Sequence, residues 1–195
     1  EIIVQEARRC AYTPVALAQK LRTKSTKTIG LLVPSVSNPY FADLASGIIT
    51  ELDRNGYLTI VMDTMESETK MVDNARSLAQ RNIDGIIAVP CGDNPVALER
   101  INQDVPVVLV DRFYSSSSLP YVTTNNYKGS VEACDVLLSR GYKKIVCIQG
   151  ELSSGPNRER VRGYFDTMKR AGLEEIISVV GLSLIHISEP TRLGM

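Results

Sequence analysis

The stretch Thr28 to Gly47, TIGLLVPSVSNPYFADLASG, most constrains what this chain can fold into. Ile29-Gly30-Leu31-Leu32-Val33 is short, apolar and rich in branched side chains, the pattern of a strand buried on both faces. Pro34 ends it, because proline cannot donate to a ladder. Ser35-Val36-Ser37-Asn38-Pro39 is turn chemistry, and Tyr40 to Leu52 then carries apolar residues at helical spacing. A strand, a turn and a helix in that order form the opening unit of a parallel sheet. In such sheets ligands bind at the loops beyond the strands' carboxyl ends.

The rest of the chain repeats the pattern. Strands are predicted over Tyr57–Met62, Gly85–Val89 and Val107–Val110, with helices over Glu68–Arg81 and Pro95–Asn102 between them. This alternation implies an α/β fold with parallel strands and right-handed crossovers. The strand ends bring Asn38, Asp63, Pro90-Cys91 and Asp111-Arg112 to one edge. Asp63 and Asp111 are equally the residues of turns and helix caps. Pro120 to Asn126 reads as a crossing segment into a second series: helix Tyr127–Arg140, strand Lys144–Gln149, helix Arg158–Ala171 and an apolar run Ile176–Val180. A new series after a crossing segment implies two lobes with a binding cleft between them.

Charge separates the N-terminal end from this body. The formal net charge is zero, yet residues 1–28 hold six bases and two acids, leaving 16 bases and 20 acids elsewhere. A basic end on an acidic body is a signature of nucleic-acid contact, and also of a solvated linker. Glu1–Cys10 has helical periodicity, and Val15–Leu21 is a second short helix behind Pro14. A helix of seven or eight residues is marginal alone, since isolated helices shorter than about 12–15 residues are seldom stable in water. It needs a partner.

Other function classes find little support. Cys10, Cys91, Cys134 and Cys147 have no C-x-x-C spacing and read as free thiols, mostly buried, of a reducing cytoplasm. No apolar run reaches membrane-spanning length. The chain lacks the G-x-x-x-x-G-K-[ST] and G-x-G-x-x-G phosphate loops, and its lone histidine is His186. That residue sits in Leu182–Arg192, which resembles an in-frame translation of a sequencing adapter, so 182–195 are expected to add nothing to a native fold. Neither an enzyme nor a cofactor is expected.

The run Tyr12-Thr13-Pro14, Ala16-Leu17-Ala18-Gln19-Lys20-Leu21-Arg22-Thr23, Thr26-Lys27-Thr28-Ile29-Gly30-Leu31, Pro34 and Ser37-Asn38-Pro39-Tyr40-Phe41 resembles the lactose-repressor and purine-repressor (LacI/GalR) family of bacterial transcription regulators. Asp84-Gly85-Ile86-Ile87, Pro106 to Arg112, Asn126, Gly141-Tyr142, Gly150 and Arg160 to Tyr164 continue it in order. The resemblance implies the end of a helix-turn-helix headpiece over 1–13, with the recognition helix upstream, and a hinge helix and linker over 14–27. It further implies an N-terminal lobe over 28–125 and part of a C-terminal lobe over 126–181, like the core of periplasmic sugar-binding proteins.

Under that resemblance Ala18, Lys20, Leu21 and Arg22 contact operator DNA, with Leu21 as the wedge entering the minor groove. Such a wedge unstacks base steps and is repaid by bent, better-wrapped DNA. Asn38, Tyr40, Phe41, Asp63, Asp111, Arg112 and Arg160 are the expected contacts of a small-molecule effector, a sugar or a purine-like ring. The partners implied are operator DNA, the effector and a second copy of the chain in the cytoplasm, with no membrane. A sugar-binding protein of a transporter is the alternative, because it shares the two-lobed core. Ala11, Val15 and Pro156 depart from residues frequent in the family, which leaves headpiece geometry and effector identity open.

Overall fold

The computed structural model describes residues 25–149 and 155–179. The predicted helices Glu1–Cys10 and Val15–Leu21, Cys10 and the tail 182–195 lie outside these residues. Two compact units are present: the first takes its described residues from 1–91 and 95–108, the second from 92–94 and 109–195.

The first unit opens with strand β1, Thr28–Val33, followed by helix α1, Pro39–Arg54. Asn38 caps α1 by accepting from the Tyr40 N–H, and Pro39 occupies the first turn, where its missing N–H costs nothing. Strand β2 (Leu58–Asp63), helix α2 (Glu68–Ala79), strand β3 (Gly85–Ala88), helix α3 (Val96–Ile101) and strand β4 (Val107–Val110) follow. Two-residue strand β5, Tyr121–Val122, completes a five-stranded sheet of order β2-β1-β3-β4-β5. β1 pairs in parallel with β2 and with β3, and β4 pairs in parallel with β5. The predicted strands match these within a residue or two, and α1 begins one residue earlier and ends two later than its apolar spacing indicates.

The core of this unit lies over β1. Leu31, Leu32 and Val33 are fully buried, as the unbroken apolar run requires. Ile86, Ala88 and Val89 extend the layer, and Met71, Ala75 and Leu78 of α2 are buried as well. A Cβ on Gly30 would lie 2.6 Å from Leu78 Cδ1, so α2 packs directly on the glycine of β1. From α1 only Phe41 and Ala45 are buried, while neighbouring Tyr40 is 52% exposed and meets Phe41 edge-on, ring centroids 5.2 Å apart.

In the second unit, helix α4 (Asn126–Ser139) and helix α5 (Gly155–Arg170) pack against each other, and strands β6 (Val146–Gln149) and β7 (Ile176–Val179) pair in parallel. Cys134, Ile145, Tyr164 and Met168 form its core. The Tyr164 hydroxyl donates to the Ile145 carbonyl at 2.7 Å and accepts the Ile176 N–H at 2.8 Å, tying α5 to both strands. Helix α5 starts three residues before the predicted Arg158. Gly155-Pro156 reads as loop in sequence, but both are buried here within the first helical turn, where proline is favoured.

Two consequences are measurable. A Cβ on Gly163 of α5 would stand 2.6 Å from the Tyr127 carbonyl of α4, a backbone atom that cannot rotate away. Gly163→Ala should therefore destabilise by about 1–3 kcal/mol despite alanine's better helix propensity. Gly129→Ala in α4 meets nothing within 4 Å and should stabilise by about 0.5–1 kcal/mol. Opposite signs in denaturant melts are the expected result. Likewise Phe41→Ala should cost about 3–5 kcal/mol as a core truncation, whereas the surface change Tyr40→Ala should stay within about 0.5 kcal/mol. Equal losses in melts of the two variants would contradict this division of roles.

Candidate functional site

Asn38, Tyr40 and Asp63 all stand at the carboxyl-end edge of β1 and β2, as the topology demands. Asn38 spends its side-chain oxygen on the cap of α1, at 3.1 Å from the Tyr40 nitrogen. Asp63 Oδ2 accepts the Val36 N–H at 3.1 Å and Oδ1 the Met65 N–H at 2.7 Å. It thus holds the loop after β1 against the loop after β2. Met65 and Glu66 both adopt left-handed backbone, and the Glu66 N–H donates to the Pro34 carbonyl at 2.9 Å. Two strained non-glycine residues are kept in place by these bonds, the pattern expected where a loop is shaped for a task. Behind them the buried Thr64 hydroxyl lies 3.2 Å from the Val33 carbonyl and 3.2 Å from Cys91 Sγ.

Phe41 differs from its neighbours. It lines a cavity of about 320 Å³ with Val33, Val36, Ala45, Ile49 and Val61, to which Ser46 and Thr50 add the only hydroxyls. A sugar needs several convergent polar groups, and this hollow offers few. Tyr40, half exposed at the strand edge, is the aromatic available for stacking on a ring.

In the second unit, Asp111 follows β4 directly. It is buried, with φ +66°. The Asp111 N–H donates to the Val122 carbonyl at 2.9 Å, and its carbonyl accepts the Thr123 hydroxyl at 2.6 Å, so β5 fixes this left-handed turn. Arg112 comes next, its N–H on the Val110 carbonyl at 2.8 Å. Beyond it Phe113 stacks on Tyr121, centroids 4.4 Å apart and planes within 11°. No helix or strand period singles out that aromatic pair, which joins the loop after β4 to β5.

Arg160 is exposed on α5, and its Nε donates to Asn126 Oδ1 at 2.7 Å. The Asn126 amide in turn donates to the Thr124 carbonyl and hydroxyl, each at 3.1 Å. Ser130 donates to the Arg160 carbonyl at 2.6 Å. The guanidinium is therefore oriented through one nitrogen, while its two terminal nitrogens have no partner among the described residues. Such a fork suits hydroxyl pairs, carboxylate or phosphate. Asn126 carries no role in the sequence reading, yet it is the residue that aims the arginine.

Thiol chemistry finds no support in this unit. Burial pushes the Cys134 thiol above its ordinary value, with nearby Cys147 and Asp135 adding to the shift, and burial alone raises Cys147. Both resist forming the reactive thiolate. Among the described residues no helix is long and apolar enough to cross a membrane. Ala18, Lys20, Leu21 and Arg22 lie outside the described residues.

Comparison with known proteins agrees with this fold. Residues 26–184 match the family model described as periplasmic binding proteins and sugar binding domain of LacI family. The chain is 32% identical over 165 residues to the ribose operon repressor of Escherichia coli (strain K12), covering 83% of this chain and 50% of the repressor. It is also 32% identical over 165 residues to the HTH-type transcriptional repressor PurR of Vibrio vulnificus (strain CMCP6), covering 83% and 49%. A periplasmic binding protein/LacI transcriptional regulator from Alkaliphilus metalliredigens QYMF, complexed with D-xylulofuranose, superposes with a TM-score of 0.75 at 27% identity, over 86% of this chain and 62% of that one. The chain spans about half the length of the curated relatives it matches. By the match of its described units, this chain belongs to the family of periplasmic binding proteins and LacI-type sugar-binding domains.

Proposed function

We propose that the whole protein is a cytoplasmic transcriptional repressor, not an enzyme, that binds operator DNA as a homodimer and responds to a small molecule, most naturally a sugar. The observation that carries this reading is the similarity to two repressors at 32% identity, one named for the ribose operon and one named PurR. A regulator solved with D-xylulofuranose supports a pentose-like effector, and a purine-like ring is the other chemistry that the family resemblance in sequence implies. A sugar-binding protein of a transporter shares this fold. Against it stand the relatives' names and the basic segment that precedes β1.

Asp111, Arg112 and Arg160 are the polar effector contacts in this reading, Tyr40 is the stacking aromatic, and Asn38 and Asp63 shape the loops that present it. Phe41 acts from the core. Ala18, Lys20, Leu21 and Arg22 are the DNA contacts, Leu21 by insertion and the bases through phosphate neutralisation. The dimer follows from the two-fold symmetry of paired half-sites.

The test uses the complete protein, a DNA fragment from upstream of its own gene, and calorimetric titration with pentoses, hexoses and purine bases, D-ribose first. Sequence-selective DNA binding and binding of at least one of these ligands are expected. Arg160→Ala should weaken ligand affinity more than tenfold, since hydrogen bonds to charged groups contribute about 1.5–3 kcal/mol, and should leave DNA binding intact. No preference for the upstream fragment would defeat the repressor reading. Unchanged ligand affinity in Arg160→Ala would remove the arginine from the site.

A further inference from the structure

The residues joining 1–24 to β1 are held by one carboxylate. Asp84, immediately before β3, receives the Ser25 hydroxyl on Oδ2, the Thr26 N–H on Oδ1 at 2.7 Å, the Thr26 hydroxyl on Oδ1 at 3.0 Å and the Lys27 N–H on Oδ2 at 2.9 Å. Its own N–H donates to the Thr28 carbonyl at 2.8 Å. Four donors from three consecutive residues thus converge on two oxygens. Burial by itself would raise the pKa of this group; the hydrogen bonds from Ser25, Thr26 and Lys27 outweigh that and hold it below its ordinary 3.8. It is ionised at neutral pH.

The clamped segment is bent in an unfavourable way. Lys27 has φ +50°, a region that side-chain-bearing residues seldom adopt. Three contacts keep it there: its N–H on Asp84, its carbonyl accepting the Leu58 N–H at 2.8 Å, and its ammonium 4.2 Å from the centre of the Tyr57 ring. The left-handed turn stands at the entrance of β1, on a lysine rather than on the glycine such backbone favours. What the turn does determine is the direction in which the preceding chain departs. Strain kept at one defined place by surrounding bonds points to function.

We propose that Asp84 is a positioning residue, which by clamping Ser25–Lys27 sets the direction in which the basic N-terminal segment leaves the first unit and so the geometry in which the whole protein engages DNA. This rests on the repressor reading above. An acceptor-only group is required: asparagine has the same shape but would turn an NH₂ toward donors already pointing at it. The family pattern in sequence includes Asp84-Gly85 but attaches no role to the acid. Only the pairing of β1 with β3, Ile29 opposite Gly85, reveals it.

The experiment compares the complete protein with Asp84→Asn and with the double variant Ser25→Ala/Thr26→Val, which keeps the carboxylate and its two main-chain bonds. Amide exchange by peptide mass spectrometry reports the clamp, and anisotropy with the gene's upstream fragment and a scrambled duplex reports DNA geometry. Asp84→Asn should exchange at 25–28 at least tenfold faster with 29–33 unchanged. It should bind the upstream fragment at least tenfold more weakly and the scrambled duplex as before, with the same salt slope. The double variant should fall between, which keeps the test informative even where Asp84→Asn folds poorly. Unaltered exchange at 25–28 overturns the clamp. Faster exchange with unaltered selective DNA binding overturns the coupling. If the unmodified protein itself does not prefer its upstream fragment, the repressor reading and the coupling fail together, while the exchange result still decides the clamp.

Discussion

The first unit depends on the pairing of β1 along both of its edges. Strand β1 is flanked in register by β2, Thr28 opposite Leu58 through Val33 opposite Asp63, and by β3, Ile29 opposite Gly85 through Leu32 opposite Ala88. So enclosed, β1 is buried from Gly30 onward, with Leu31, Leu32 and Val33 fully so, while Thr28 and Ile29 at its start are partly exposed. Parallel pairing sends the chain back through a helix after each strand and so leaves the carboxyl ends of the strands together. The positions of Asn38, Tyr40 and Asp63 are consequences of that single arrangement. So is the clamp at the opposite end of β1, where Asp84, just before β3, lies beside the residues that lead into β1.

Much of this was legible in sequence because it rests on local chemistry. Apolar runs gave the strands, the helical spacing from Tyr40 to Leu52 gave most of α1, and the Pro34 stop marked the end of β1. Element ends drifted by one to three residues, as where buried Gly155-Pro156 joins α5, because burial of those two residues is a tertiary fact. For the candidate site, sequence singles out residues but not the structural role each one takes. Tyr40 and Phe41 are adjacent in sequence, yet one is exposed and one is core, since a helix turns 100° per residue and only one of them can face the sheet. Asp63 is both a strand-end residue and a loop fastener, and its backbone bonds depend on the register of β1 against β2. Residues that act through others, Asn126 on Arg160 and Asp84 on Lys27, left no periodic trace.

The polar work in the second unit follows a different plan. There α4 and α5 approach closely enough that Gly163 has no room for a side chain against the Tyr127 carbonyl. The same close approach brings Asn126 and Ser130 of α4 to Arg160 of α5. Close helix packing thus aims the guanidinium, and a side chain held by packing and hydrogen bonds loses less entropy on meeting a ligand than a mobile one. Strain at Asp111, Met65 and Glu66 likewise sits in the loops that begin where β4 and β2 end.

If β1 is the axis on which the first unit depends, its amides must be the last there to exchange. Native-state hydrogen exchange under EX2 conditions, read by peptides spanning 29–33 and 85–88 against those of α1 and α3, tests this directly. The account predicts that the β1 and β3 amides exchange only through opening of the whole unit, with one shared free energy and the same dependence on added denaturant, while the short helix α3 opens locally and faster. Exchange of 29–33 that is faster than that of α3, or insensitive to denaturant, would contradict it.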